Sequence, residues 1–218
     1  MAYRTTDKIA ARLAETRNAI LGAARALVAE GGFASAPMTE VARRAGVATG
    51  TIYRYFSSKE ELCRQVFRDV STREMSVLAG IAAGEGSAQT RLSEVLRTFA
   101  GRAVRARRLA YALLAEPVDA NLEEERAFFR RTHARIFAGI LEDGIEAGEI
   151  RPINVEIAAA CIAGAIPTAL IGPLAPQSHE LEQDADRVVE EIVHFCMSGV
   201  GLVPTEKRPG TDEKRATL

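Results

Sequence analysis

The chain has 218 residues, 47% hydrophobic and 26% charged, an ordinary balance for a folded soluble protein with one compact body and a small appended module. The net charge of −1 is split: residues 1–70 carry 11 Lys and Arg against 7 Asp and Glu, the remainder 17 against 22. A basic N-terminal module on an acidic body suits a polyanionic partner at one end only.

Periodicity is helical nearly throughout. Ile20, Ala23, Ala24, Leu27 and Val28 recur at helical spacing before Gly31 and Gly32 stop the run. A short helix is predicted from about Pro37, placed at the first helical position, to Ala45, and Gly46 ends it. A second short helix spans about Thr49 to Tyr55. Ser58 and Glu61 form a capping box for a long helix carrying Leu62, Val66, Phe67 and Val70 toward Ala83. After a Gly84–Ser87 loop come helices near 88–106, 107–115, 122–147, 153–171 and 181–200. The segment from Pro204 to Leu218 is polar and aperiodic and reads as disordered. With no alternating strand pattern, the fold class is all-α.

Residues 37–62, PMTEVARRAGVATGTIYRYFSSKEEL, are the informative stretch. A helix-turn-helix needs a first helix packed behind a second and a tight turn between them. Val41 and the small Ala42 supply the packing face, Gly46 the left-handed turn, Val47 a plug, and Ile52 and Phe56 the anchors. Ala48, Thr49, Gly50, Thr51, Tyr53, Arg54 and Tyr55 are left at or near the outer face, small enough to enter a major groove.

These residues resemble the DNA-binding signature of the tetracycline-repressor (TetR) family, over roughly residues 14–65. The resemblance implies an N-terminal three-helix DNA-binding domain at 1–62 with an N-terminal arm, and a helical ligand-binding and dimerisation domain at 63–203. It implies a recognition helix from Thr49 to Tyr55, with phosphate contacts from Tyr53 and Lys59 and base or inner phosphate contacts from Arg54 and Thr49. Pro37 and Ala48 depart from the hydroxylated residues that many members carry there. The first cap then falls to Ser35 or a backbone group, and Thr39 is the nearest replacement hydroxyl for a phosphate.

The family's habit further implies a homodimer, paired through the last two long helices at Ala159, Ala163, Val188, Ile192 and Phe195. Two copies would read a pseudo-palindromic operator. A small effector would sit among Phe99, Tyr111, Leu114, Phe129, His133, Phe137 and Pro167, though an aromatic stripe at this spacing also makes ordinary core. A mostly aliphatic pocket suggests an apolar or amphipathic effector, and the family resemblance implies repression. The alternative is a DNA-binding architectural or division-control protein with the same head and no effector.

Other classes find little support. P-loop, G-x-G-x-x-G and G-x-S-x-G motifs are absent, and His133, His179 and His194 lack metal-ligand spacing, so no enzyme, metal or cofactor is expected. Cys63, Cys161 and Cys196 are odd in number and widely spaced, which reads as reduced thiols. No basic-then-apolar leader is read at the start of the sequence. No uncharged apolar run reaches the roughly 20 residues of a membrane span, Ile157–Leu174 being interrupted by Pro167 and Pro173. The expectation is a cytoplasmic protein with no membrane partner.

Overall fold

The computed structural model describes residues 2–201. The described residues form nine α-helices and no strand: α1 (Ala2–Gly31), α2 (Met38–Ala45), α3 (Thr49–Ile52), α4 (Lys59–Ala82), α5 (Ala88–Arg105), α6 (Arg107–Ala115), α7 (Ala120–Glu146), α8 (Val155–Leu174) and α9 (Glu180–Gly199). The polar tail from Pro204 to Leu218 lies outside the described residues.

Cap chemistry explains several boundaries. Ser58 accepts a bond from the Glu61 backbone N–H at 3.2 Å, while the Glu61 carboxylate accepts from the Ser57 N–H at 2.6 Å. The expected capping box thus forms, with its return arm one residue earlier. Asp119 caps α7, and Asn154 caps α8 through the Ile157 N–H. Pro37 is the residue before α2 rather than its first member, with extended φ −66° and ψ 149°; its carbonyl accepts from Glu40 and Val41. No side chain caps α2, and Ser35 instead closes a 3₁₀ turn, Phe33–Ser35.

α3 is shorter than its sequence suggested. One α-turn ends at Ile52, and the chain continues through tighter bonds from Arg54 to the Thr51 carbonyl and from Tyr55 to that of Ile52. Gly50 and the β-branched Thr49, Thr51 and Ile52 are poor helix formers, and Ala48 has no side chain to cap them. Burial of Ile52 and Phe56 holds the segment in place instead.

Two apolar clusters organise the molecule. The head cluster joins α1 (Ile20, Ala24, Val28), α2 (Val41, Ala42) and Ile52 to the start of α4. It also takes Ala112 and Leu113 from α6 and Leu122 and Phe129 from α7. The body cluster holds Leu78 from the far end of α4 with α5, α7, α8 and α9. α4 therefore runs from one cluster into the other as a shared strut. α8 is, against expectation, long and apolar enough at 20 residues to cross a membrane. Its buried face, with Ile162, Ile166 and Leu170, is instead part of the body cluster.

Candidate DNA-binding head and ligand cavity

The turn between α2 and α3 is built as the spacing required. Gly46 takes φ +68°, its N–H reaches the Arg43 carbonyl, and the Val47 N–H reaches that of Ala42 at 3.0 Å. This paired Schellman closure stops α2 and turns the chain without strain, because glycine has no Cβ to clash in the left-handed region. Val41 and Ala42 are buried behind α3, with Val47 packed between the helices.

The expected contact residues divide on this frame. Thr39, Ala48, Gly50, Tyr53 and Arg54 are exposed, Tyr53 at 54%, while Thr49, Thr51 and Lys59 are half-buried. Tyr55 packs against the head cluster, so its ring does not belong to the outer face. A Cβ added at Gly50 would meet nothing within 4 Å, so the fold itself does not demand glycine there.

Charge is distributed unevenly over the head. Arg43 is held by Glu40 and Arg44 by Glu30, and these partnerships hold both carboxyls below their ordinary range. Arg54 and Lys59 form no ion pair among the described residues. Lys59 is the first residue of α4, where exposed backbone N–H groups add positive potential.

Behind the head lies a cavity of about 660 Å³, within the range of small-molecule sites. Phe99, Leu114, Phe129, His133 and Pro167 line it as expected. Tyr111 and Phe137 do not. Tyr111 points to another side of α6, beneath the Arg108 guanidinium, and Phe137 lies one turn past His133, sealed in the body core. Sequence reasoning missed the α4 wall, Phe67, Val70 and Ser71, and the α6 wall, Leu109, Ala110 and Leu113. It also missed the charged lining of Glu74, Arg102, Arg105, Arg126 and Arg130.

Arg102 is neutralised by Glu74 at 2.6 Å. Arg105 and Arg130 are exposed and have no ion-pair partner among the described residues. Within the wall, the His133 ring stacks on Phe99 at 5.2 Å between centroids, and burial pushes the imidazole pKa down, so it is neutral at pH 7.

The residues chosen for a subunit interface need correction. Ala159, Ala163, Val188 and Ile192 are buried within the chain, their small or branched side chains packing α8 and α9 into the body cluster. Phe195 alone of that set is outward, at 71% exposure. The outer stripe of α8 is instead Ile157, Ala160 and Cys161, again at helical spacing, while Thr168 and Ile171, further along the helix, line the cavity.

A helix-turn-helix head joined to a hollow helical body is the architecture of a DNA-binding transcriptional regulator. Comparison with known sequences and structures agrees. Residues 20–66 match the family model for bacterial regulatory proteins of the tetR family. An uncharacterized HTH-type transcriptional regulator of Bacillus subtilis, YdeS, is 30% identical over 158 residues, covering 69% of this chain and 76% of that one. The fatty acid metabolism regulator protein of Bacillus subtilis is 28% identical over 178 residues, covering 80% and 92%. The crystal structure of FadR from Bacillus subtilis in complex with stearoyl-CoA aligns with TM-score 0.66 and 26% identity, covering 80% of this chain and 96% of that one. The chain belongs to the TetR family, whose members are transcriptional regulators and not enzymes.

Proposed function

We propose that this protein is a cytoplasmic homodimeric repressor that leaves a pseudo-palindromic operator when an amphipathic ligand of the long-chain acyl-CoA class fills its cavity. The observation that carries the reading is that Phe67, Leu113 and Phe129 belong both to the cavity wall and to the apolar cluster of the head. An occupant that pushes on those three side chains pushes on the base of the DNA-reading unit. Close-packed interiors transmit such displacement rather than absorb it.

The ligand class rests on matching chemistry. The wall is mainly apolar, and each methylene seated in it contributes about 0.8 kcal/mol. Arg105 and Arg130 offer unneutralised guanidinium groups to phosphate. The stearoyl-CoA complex of the Bacillus subtilis FadR structure supports the same class. The existence of the cavity favours this reading over an effector-independent architectural protein.

On the DNA side, Ala48, Thr49, Gly50 and Thr51 form the groove-entering surface, with Thr39, Tyr53 and Lys59 on phosphates and Arg54 on a base or inner phosphate. The open space at Gly50 supports close approach to a backbone outside the protein. The dimer uses the outer stripes of α8 and α9, through Ile157, Cys161 and Phe195.

The test is fluorescence anisotropy of the full-length protein on its operator, with stearoyl-CoA or with coenzyme A alone. Stearoyl-CoA should weaken DNA binding by about tenfold or more, and coenzyme A alone should not. Equal DNA affinity with the cavity saturated would contradict the reading.

A further inference from the structure

We infer that a polar chain through Arg126, Glu116, Arg108 and Gly31 is the linkage that carries cavity occupancy into the head. The inference deepens the ligand-release reading and rests on it for the nature of the signal. Its starting point is Arg126, the one charged residue in the buried class among the described residues, at 8% exposure. A buried cation is costly unless its donors are fully engaged. Here Nε donates to the Leu113 carbonyl at 2.7 Å, and Nη2 to those of Ala112 at 3.0 Å and Glu116 at 2.9 Å. Nη1 meets the Glu123 carboxylate at 2.6 Å. The three carbonyls lie at the C-terminal end of α6, which has no further turn to accept them and attracts a cation. Arg126 also lines the cavity, so displacement of α7 by an occupant draws the end of α6 with it.

Glu116 follows α6 directly and turns its side chain to the head. Oε2 accepts from the Phe33 backbone N–H at 2.9 Å, and Oε1 pairs with Arg108. Arg108 in turn donates to the Gly31 carbonyl at 2.7 Å. The turn from α1 to α2 is therefore gripped at two points, on either side of Gly32. Gly32 adopts φ +80°, and a Cβ there would lie 2.0 Å from Glu116 Oε1 and 2.1 Å from the Arg108 guanidinium. Only glycine allows the grip. Phe33, the next residue, is buried in the head cluster immediately before α2. None of these residues is a DNA contact in the reading above, and Glu116, Arg108 and Gly32 are absent from the cavity wall. Their role is positioning.

The test compares wild type, Glu116→Ala and Glu116→Gln as full-length protein, the last keeping an acceptor for Phe33 but losing the charge. Stearoyl-CoA binding and operator binding are measured separately, then together. In Glu116→Ala each separate affinity should stay within about fivefold of wild type, while the ligand-induced loss of DNA affinity shrinks at least about tenfold. Glu116→Gln should fall between. A ligand response equal to wild type in both variants would overturn the linkage. If wild type itself ignores stearoyl-CoA, the ligand reading fails, and a ligand-free arm decides the linkage. Arg126→Met should speed exchange of the Phe33 amide about tenfold in wild type and add nothing in Glu116→Ala, a non-additivity expected only of groups in one network. Additive effects would overturn it.

Discussion

Lys59 sits at the N-terminus of α4 with no acidic partner among the described residues, while Arg43 and Arg44 are already committed to Glu40 and Glu30. A phosphate contact from Lys59 makes a specific claim about salt. Lys59→Ala should weaken binding about equally on all sequences and lower the log–log salt slope by about 1. An unchanged slope would remove Lys59 from the interface. His133 makes a claim about pH. Burial lowers its pKa in the folded protein below the ordinary 6.5, so between those two values the unfolded chain binds more protons. Stability should therefore be fully present above pH 6.5 and decline as pH falls below it. His133→Phe should lose that part of the acid sensitivity, as read by urea titrations at several pH values; an identical pH dependence would contradict the assignment. Cys63 is inert by the same physics, its thiol pushed up to about 11 by burial.

At the scale of elements, the boundaries at Ser58 and Gly46 were legible in the sequence. Those at α7 and α8 were read near 122 and 153, whereas the Asp119 and Asn154 caps start the helices at Ala120 and Val155. The length of α3 was not legible, because tertiary anchoring by Ile52 and Phe56 supports the segment without a full helix. The inward face of α8 was hidden for another reason. The helix is apolar nearly all round, so its sequence has no polar stripe to mark the outside, and Ala159 and Ala163 could not be told from Ala160. The exposed stripe of Ile157 and Cys161, with Phe195 on α9, is the surface a second copy would cover. Phe195→Glu should convert the dimer to monomer by sedimentation, and should speed thiol labelling of Cys161 severalfold. A dimer that survives this change would place the interface elsewhere.

For the whole molecule, the head signature was readable because it is local: packing face, turn, plug and anchors fall within 26 consecutive residues, 37–62. The cavity is assembled from five helices, so its membership depends on how they cross. Phe67 and Leu113 therefore escaped notice while Phe137 and Tyr111 were wrongly included. That same assembly gives the molecule its logic, since wall and head share side chains. Shifting the DNA-competent population a hundredfold needs about 2.7 kcal/mol of differential ligand affinity. A few methylenes seated better in one arrangement than in the other supply that much. Apparent affinity should accordingly rise with acyl chain length until the cavity is full, then level off, as measured by titration calorimetry across a chain-length series. Affinity independent of chain length would argue against an acyl-binding wall.

The most direct test of the central claim, a dimeric sequence-specific DNA-binding regulator, is selection from a random duplex pool with wild type and Tyr53→Ala, followed by salt titration of the enriched site. The account predicts a pseudo-palindrome, bound by one or more dimers with steep salt dependence and lost in Tyr53→Ala. Failure to enrich any duplex, or a site bound equally well by the mutant and insensitive to salt, would contradict it.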